Sequence, residues 1–370
     1  EQYRSCPFAY FSRYGLGLEE RPRYQFAAPD LGMLVHGALR IIGERLLREQ
    51  KQWYDIPDAD VPAICRQATD ELAPQVQHDI LMSNAYFAQI KERLIQTLTR
   101  TVRRLSAFSA VSDFHMEGLE KSFGRPGSPW EALRFTLKNG LQVVVTGQID
   151  RIDTLRQGDH KYVVIIDYKS GRKQLDISQI FTGLELQLLT YMFVALLNIG
   201  GDAIPAAVLY CYVRNDKVSL EYRVSEEDKK KLYDAKGKLT GFYLDDGQVM
   251  QQLDTSMQGF SDFLNLRLKK DGTLSDSSHT LYNEAGWSHL LDWAARQIRD
   301  IAGHIGDGDI SIHPILMGQQ APCSYCPYRP VCRFDVAVAG NTYDAAGRED
   351  TDEMIQKMFD EGDDEHGLDE

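Results

Sequence analysis

The stretch from residue 147 to residue 171, GQIDRIDTLRQGDHKYVVIIDYKSG, constrains the fold of this chain more than any other. Two predicted strands, Val143 to Thr154 and Tyr162 to Lys169, are rich in β-branched residues, and a Gln-Gly-Asp turn signal centred on Gly158 separates them. We therefore predict an antiparallel hairpin. Because it is mostly apolar, the rest of the chain must cover it.

Two carboxylates and an ammonium group meet near one end of this hairpin. Folding about Gly158 places Asp150 roughly opposite Asp167, and opposed residues on one sheet face have Cβ atoms about 5 Å apart. Side chains alternate along a strand, so Lys169 lies on the same face as Asp167. Such carboxylates repel each other unless a cation lies between them or one is protonated. The pattern predicts a divalent-metal site; the alternative is an ordinary surface Asp–Lys pair.

The charge of the chain is concentrated at its end. The net charge is −13, but residues 349–370 contain eleven Asp or Glu and one Lys, a net of −10, which leaves about −3 for residues 1–348. We predict an acidic, disordered tail over 349–370 and one folded domain over 1–348. A nearly neutral domain of this kind can still present a basic groove to nucleic acid.

Cellular context follows from what the composition lacks. No apolar run reaches the eighteen or so residues of a membrane span, and the first residues do not form a signal peptide. Six cysteines in a chain this long do not indicate a secreted disulfide framework. We expect a cytoplasmic protein without a membrane partner. Since it begins with Glu1 and a patterned segment follows at once, we also expect it to be a piece of a longer polypeptide.

Helical periodicity flanks the hairpin on both sides. A helix is predicted from about Leu31 to Gln52 and carries His36, which taken alone would be a structural histidine. A second helix, from about Ile177 to Asn198, places Gln187 and Tyr191 four residues apart on one face. With further strands on either side, the pattern predicts an α/β fold with a mixed sheet. Residues 225–310 are predicted to be mainly helical.

Four cysteines have the spacing of metal ligands. Cys323, Cys326 and Cys332 form a C-x2-C-x5-C pattern, and Cys6 stands in a similar context near the start of the chain. Four thiolates suit tetrahedral zinc or an iron–sulfur cluster, and spacing alone favours zinc. Either centre would act as a strap that joins the two ends of the domain. The two remaining cysteines, at positions 65 and 211, lie in apolar surroundings and are predicted to be buried thiols.

Taken in order, the motifs resemble a known family. GxxxH at Gly32 to His36, GQIDRID with Asp150, DYKSG with Asp167 and Lys169, and QLLTY with Gln187 and Tyr191 are similar to the PD-(D/E)XK motifs of RecB-like nucleases. SCPFAYFSRYGLGLEE and CSYCPYRPVCRFD resemble the C-terminal nuclease domain of the AddB subunits of bacterial AddAB helicase–nucleases. The resemblance covers residues 1–335 and implies a restriction-endonuclease-like core with helical insertions and a four-cysteine strap.

The resemblance also implies roles for single residues. His36, Asp150, Asp167 and the carbonyl of Tyr168 would be metal ligands, for Mg²⁺ with Mn²⁺ as a further possibility. Lys169 would position the attacking water, and Gln187 and Tyr191 would support the site and contact DNA. By the same resemblance, the four cysteines Cys6, Cys323, Cys326 and Cys332 would bind a [4Fe–4S] cluster rather than zinc.

The implied activity is hydrolysis of single-stranded DNA during double-strand-break repair. The strand would be unwound by an AddA-like partner, because the chain has no G-x-x-x-x-G-K-[ST] phosphate loop of its own. Two alternatives stay open: a catalytically silent DNA-binding or scaffold module held by the cluster, and a free-standing RecB-like exonuclease. Retention of Asp167 and Lys169 disfavours the first, and the AddB-like flanks disfavour the second.

Overall fold

The computed structural model describes residues 1–21, 24–171, 175–213, 225, 237–275, 279–345 and 349–363. Within these residues the helices are α1 (Gln2–Ser5), α2 (Pro7–Tyr10), α3 (Ala28–Arg48), α4 (Val61–Leu72), α5 (Ala85–Ala110), α6 (Ile177–Phe181), α7 (Gln187–Ile199), α8 (Gly247–Leu253), α9 (Glu284–Gly306), α10 (Arg329–Cys332) and α11 (Thr351–Asp363). The strands are β1 (His115–Phe123), β2 (Arg134–Thr136), β3 (Gln142–Val144), β4 (Gly147–Gln157), β5 (His160–Lys169), β6 (Ala203–Tyr212), β7 (Thr240–Leu244) and β8 (Leu281–Tyr282).

Six of the described strands form one mixed sheet in the order β1-β4-β5-β6-β7-β8. The pairs β1–β4, β4–β5 and β6–β7 are antiparallel, whereas β5–β6 and β7–β8 are parallel. The parallel step from β5 to β6 needs a crossover, which α6 and α7 provide. The predicted α/β fold with a mixed sheet flanked by helices is confirmed.

The central hairpin forms as predicted, with Gly158 in the left-handed region at φ +61°. Four consecutive side chains of β5, from Val163 to Ile166, are fully buried. Strands covered on both faces read as continuous apolar runs, because neither face meets water. Side chains alternate across β5, so Tyr168 meets His36 of α3 while Asp167 meets Gln187 of α7. The sheet is therefore packed between α3 and α7.

The predicted first strand of the hairpin, Val143 to Thr154, is wrong at its start. The chain forms two separate strands there: β3 pairs with β2 across the Asn139-Gly140 turn, and β4 begins at Gly147. Between them, the amide of Val145 donates to the carbonyl of Leu133, which ties the short hairpin to the chain before it. The sequence does not indicate this change of pairing partner, because the β-branched residues continue without a break.

The prediction that residues 225–310 are mainly helical is only partly right. Helices α8 and α9 are present, but β7 and β8 extend the main sheet by two strands. One of the further strands predicted after the second helix, Val218 to Val224, lies outside the described residues. Strand β7, TGFYL, is short and apolar, so periodicity alone does not distinguish it from a piece of buried helix.

The predicted disorder of residues 349–370 is wrong for its first half. Residues 351–363 form α11, in which Met354 and Met358 are buried against the core, with Ile355 and Phe359 beside them. These four residues recur at the spacing of one helical face, so burial of an apolar stripe offsets the cost of ordering an acidic segment.

Among the described residues, no helix has the length and apolar character that crossing a membrane requires.

Candidate active site

The candidate site lies at a fork between β4 and β5. The last residues paired between these strands are Arg151 and Ile166, so the ladder ends one step before the expected pairing of Asp150 with Asp167. Beyond that point the amide of Tyr168 donates to Oδ2 of Asp150 at 2.9 Å instead of to a carbonyl. Both carboxylates are brought together here, and both are at least nine-tenths buried.

Lys169 and Gln187 hold the second carboxylate. Nζ of Lys169 lies 2.6 Å from Oδ2 of Asp167 and donates to Oε1 of Gln187 at 2.9 Å. The amide nitrogen of Gln187 lies 3.0 Å both from Oδ1 of Asp167 and from the hydroxyl of Tyr191. The four residues form one hydrogen-bonded row, as expected for a buried glutamine that needs partners. The structure therefore brings Gln187 and Tyr191 to the fork.

His36 reaches the fork from α3. Its Nδ1 lies 3.2 Å from Oδ2 of Asp150, and its ring stands perpendicular to that of Tyr168. Burial disfavours protonation of the imidazole, but the hydrogen bond and charge of Asp150 outweigh it and raise the pKa of His36. The structure thus places His36 beside a buried carboxylate, where it could serve as a metal ligand.

Glu120 also faces the site, although no sequence pattern singled it out. Leu119 pairs with Arg151 and Lys121 with Ile149, so Glu120 on β1 stands beside Asp150 on β4. It has a left-handed backbone conformation at φ +48°, and its Oε2 accepts a hydrogen bond from Gln148 at 2.5 Å. Non-glycine residues in this region cluster at functional sites. The signal that would have found Glu120 is the β1–β4 pairing.

Burial sets the electrostatics of this site. It raises the pKa of Asp167 to about 6, with the charge of Asp150 adding to the effect and Lys169 opposing it. Burial also raises the pKa of Glu120 to about 7, again with Asp150 adding to it. Ligand atoms of His36, Glu120 and Asp150 all lie within 4.8 Å of one another. Three acids near one histidine and one lysine thus leave negative charge for a cation to neutralise.

The back of the site is built from a buried ion pair. Arg151 binds Asp153 through two hydrogen bonds of 2.7 Å, and its guanidinium lies over the ring of Trp53. Arg151 is also close enough to the hydroxyl of Tyr168 to oppose the rise in the pKa of that group, which burial causes. Arg151 and Asp153 therefore lie beside Tyr168, whose amide bonds Asp150.

Glycines of the motifs have different roles. A Cβ on Gly147 would lie 2.6 Å from the ring of Phe123 and 3.3 Å from Tyr191, so only glycine fits where β4 begins. A Cβ on Gly32 would meet only Ser170 Oγ, at 3.7 Å, which is an ordinary contact. Packing within the described chain therefore requires glycine at 147 and does not require it at 32.

The four predicted cluster cysteines line one cavity of about 280 Å³. Burial raises the pKa of Cys323, and the neighbouring thiols Cys6, Cys326 and Cys332 raise it further. The N-terminal segment and the segment from Ser311 to Tyr328 are joined around this cavity, because the amide of Phe8 donates to the carbonyl of Ser311 and the hydroxyl of Tyr328 to the carbonyl of Leu18. Cys65 and Cys211 are buried elsewhere, as predicted.

Comparison with known proteins agrees with this arrangement. A model of the PD-(D/E)XK nuclease superfamily matches residues 1–333. The chain belongs to this superfamily. The match spans the carboxylate fork and all four cavity cysteines.

Relatives of this nuclease chain are named as the B subunit of an ATP-dependent helicase/deoxyribonuclease. The protein of Moorella thermoacetica is 36% identical over 94% of the chain, that of Bacillus subtilis 34% over 93%, and that of Bacillus pumilus 32% over 98%. The predicted resemblance to AddB subunits is confirmed. The chain spans 30% to 31% of the length of these relatives.

Proposed function

We propose that this chain is a metal-dependent deoxyribonuclease that hydrolyses phosphodiester bonds of single-stranded DNA. The observation that carries the proposal is the fork itself, where Asp150 and Asp167 lie beside Lys169 on a PD-(D/E)XK fold. His36 and Glu120 add a nitrogen and a further carboxylate to the same small volume. This set has ligands for a divalent cation and a separate positive charge for the phosphate.

The residues at the fork fit a hard divalent cation. Mg²⁺ takes oxygen ligands at about 2.0–2.1 Å, and two ligands on one such ion lie at most about 4 Å apart. The ligand atoms of His36, Glu120 and Asp150 are within 4.8 Å of one another, so small rotations bring them into range. Asp167 and the carbonyl of Tyr168 would complete the set. Magnesium is the expected ion, and His36 leaves room for manganese.

The protein's own groups would then orient and stabilise the reacting phosphate. When bound, the cation polarises the phosphate and lowers the pKa of a coordinated water. Lys169 holds a fixed positive charge where the transition state gains negative charge. Gln187 accepts from Lys169 and donates to Asp167, so it holds the ammonium and carboxylate in register. The hydroxyl of Tyr191 accepts a hydrogen bond from the amide nitrogen of Gln187 and so helps to hold that side chain in place.

The direct test compares Asp167→Asn with Asp159→Asn. Asp167 is buried at the fork, whereas Asp159 is exposed in the turn of the same hairpin. We expect Mg²⁺-dependent cleavage of single-stranded DNA to be lost in Asp167→Asn and kept in Asp159→Asn. Identical purification of the two proteins controls for a contaminating nuclease. Full cleavage by Asp167→Asn would refute the assignment, and binding without cleavage by the wild type would support the silent-module alternative.

We also propose a [4Fe–4S] cluster on Cys6, Cys323, Cys326 and Cys332. All four cysteines line one cavity, where burial and the neighbouring thiols raise the pKa of Cys323. Four thiolates suit either tetrahedral zinc or an iron–sulfur cluster. The resemblance to AddB nuclease domains favours the cluster.

Iron and sulfide analysis tests this second proposal. The purified protein should be brown, with broad visible absorption and about four irons per chain. Cys326→Ser should lose the colour, whereas Cys65→Ala, which removes a buried thiol outside the cavity, should keep it. A colourless wild-type protein with stoichiometric zinc would overturn the proposal.

The names of the relatives support the proposal that this chain belongs to a multisubunit complex. Proteins named as one subunit of a helicase/deoxyribonuclease imply a companion, so we propose that an AddA-like helicase–nuclease unwinds the duplex and passes one strand to this site. The work would be processing of double-strand-break ends for recombinational repair, in the cytoplasm where bacterial DNA lies.

A further inference from the structure

A cavity of about 490 Å³ adjoins the candidate active site. Gln187 and Tyr191 form one of its walls, and these residues also belong to the hydrogen-bonded row that ends at Lys169 and Asp167. The cavity is therefore one side chain away from Asp167 and Lys169. Its volume is in the range of pockets that hold small ligands or parts of larger ones, about 300–1,000 Å³.

The opposite wall is apolar and belongs to α9. Ile298, Ile301, Ala302 and Ile305 lie three or four residues apart, so one face of the helix lines the cavity. The ring of Phe123 closes the base of the cavity, edge-on to Tyr191. Among the described lining residues there is no lysine or arginine, so a phosphate is not the group that this cavity suits.

We propose that the cavity takes one unstacked nucleobase of single-stranded DNA, from a nucleotide next to the cleaved phosphate. The inference rests on the proposed nuclease function and adds a subsite to it. A base is the flat, mostly apolar part of the substrate, and it is attached within one nucleotide of the phosphate. Proteins that act on a displaced base hold it between aromatic and apolar side chains in this way.

The lining of the cavity is mostly apolar, which suits any base. Oγ1 of Thr190 already donates to the carbonyl of Leu186 at 2.7 Å, and the amide of Gln187 is engaged with Lys169, Asp167 and Tyr191. Glu1 and Thr146 are the other polar residues of the lining, and every base offers an apolar face to the rest. The subsite thus selects single strands over duplex, because a paired base must first leave its stack.

A binding experiment without cleavage tests the occupant. Oligonucleotides with one 2-aminopurine at successive positions are mixed with the purified protein in Ca²⁺ instead of Mg²⁺. We expect a fluorescence increase at one position in the wild type. Ala302→Trp, which fills the cavity, should lose it, and Ala302→Leu should lose part of it. Ala285→Trp adds the same side chain at an exposed position of α9 and should behave as the wild type.

A cleavage experiment in Mg²⁺ gives the second readout. The wild type should cut about tenfold more slowly beside a single abasic residue, as expected for the loss of one stacked base. Ala302→Trp should cut the normal strand at that slower rate, with no further loss at the abasic residue. Equal rates on both strands, or a 2-aminopurine signal that Ala302→Trp keeps, would overturn the proposal. A wild type that gives the signal but never cuts would instead refute the nuclease function and leave the subsite standing.

Discussion

Asp167 shows why a cation would stabilise the candidate site. Its side chain is 1% exposed and lies near Asp150, so ionisation is opposed by burial and by a like charge. Lys169 and Gln187 offset part of this cost through direct contacts. The remaining negative charge belongs to Asp150 and Glu120 together. A bound divalent ion would remove this repulsion, which connects the electrostatics of single residues to metal binding.

Glu120→Gln tests whether the unexpected carboxylate is a ligand. We expect the Mg²⁺ concentration for half-maximal nuclease activity to rise about tenfold, because groups around a metal typically change affinity by that order. The matched control is Glu117→Gln on the same strand, which pairs with Lys161 instead. Magnesium titrations of the two variants give the comparison. An unchanged midpoint in Glu120→Gln would exclude it from the ligand set.

The raised acid pKa values predict how stability depends on pH. In the folded, metal-free protein the pKa of Asp167 is about 6 and that of Glu120 about 7, above their unfolded values of 3.8 and 4.5. The folded state therefore binds more protons between pH 4 and 7, so the free energy of unfolding falls as the pH rises through this window. The expected loss is on the order of a few kcal/mol.

Magnesium should reverse this trend. Metal binding requires the ionised carboxylates, so stabilisation by Mg²⁺ should grow from pH 5 to pH 8. Urea unfolding with and without Mg²⁺ measures both slopes. The double variant Glu120→Gln, Asp167→Asn should have a flatter profile under both conditions. A metal-free wild type whose stability increases from pH 5 to pH 7 would contradict the assignment of these pKa values.

At the scale of elements, signals from neighbouring residues predicted the hairpin correctly. They did not predict which strands pair in the sheet. The β4–β5 hairpin followed from a turn at Gly158, which acts on adjacent residues. The neighbour of β4 on its other side is β1, not the nearer β3, and no local signal indicates this choice. Helix α11 was missed for another reason: its apolar stripe of Met354 and Met358 lies within a strongly acidic segment.

Gly241 offers a test of how closely β6 and β7 approach. A Cβ at this position would lie 1.8 Å from the carbonyl oxygen of Val208, which is main chain and cannot rotate away. Gly241→Ala should therefore cost more than about 3 kcal/mol of unfolding free energy. In contrast, a Cβ on Gly303 of α9 meets nothing within 4 Å, so Gly303→Ala should stabilise by up to about 1 kcal/mol. Denaturant unfolding of both variants measures these changes in unfolding free energy. A small loss in Gly241→Ala would refute the close approach of β6 and β7.

At the scale of the molecule, the fold is closed by its two ends. The amide of Ile315 donates to Ser5, and the hydroxyl of Tyr3 to Asp309 at 2.5 Å. The cysteine cavity lies between these same segments. Arg4 extends the connection inward, because its side chain donates to the carbonyl of Thr182 just after α6. The strap therefore contacts the crossover that leads from Lys169 to Gln187.

Loss of the proposed cluster should consequently loosen the N-terminal segment first. A covalent tie between Cys6 and the cysteines near the other end of the domain would stabilise the fold by about 6 kcal/mol in the chain-entropy description. We expect Cys326→Ser to lower the unfolding temperature and to let a protease release residues 1–21 early. Cys65→Ala should lack the second effect. Equal protection of the N-terminal segment in both variants would show that hydrogen bonds alone hold the ends together.

The sequence by itself determined the hairpin, the acids and lysine at its end, the helical positions of His36 and Gln187, and the cysteine set. These depend on turn residues and on side-chain period, which are properties of neighbours along the chain. Only the tertiary structure decided that Glu120 joins Asp150, that the strands fork there, and that α9 closes a cavity beside the site. Several strands have the same apolar pattern, and the choice between them depends on packing of the whole core.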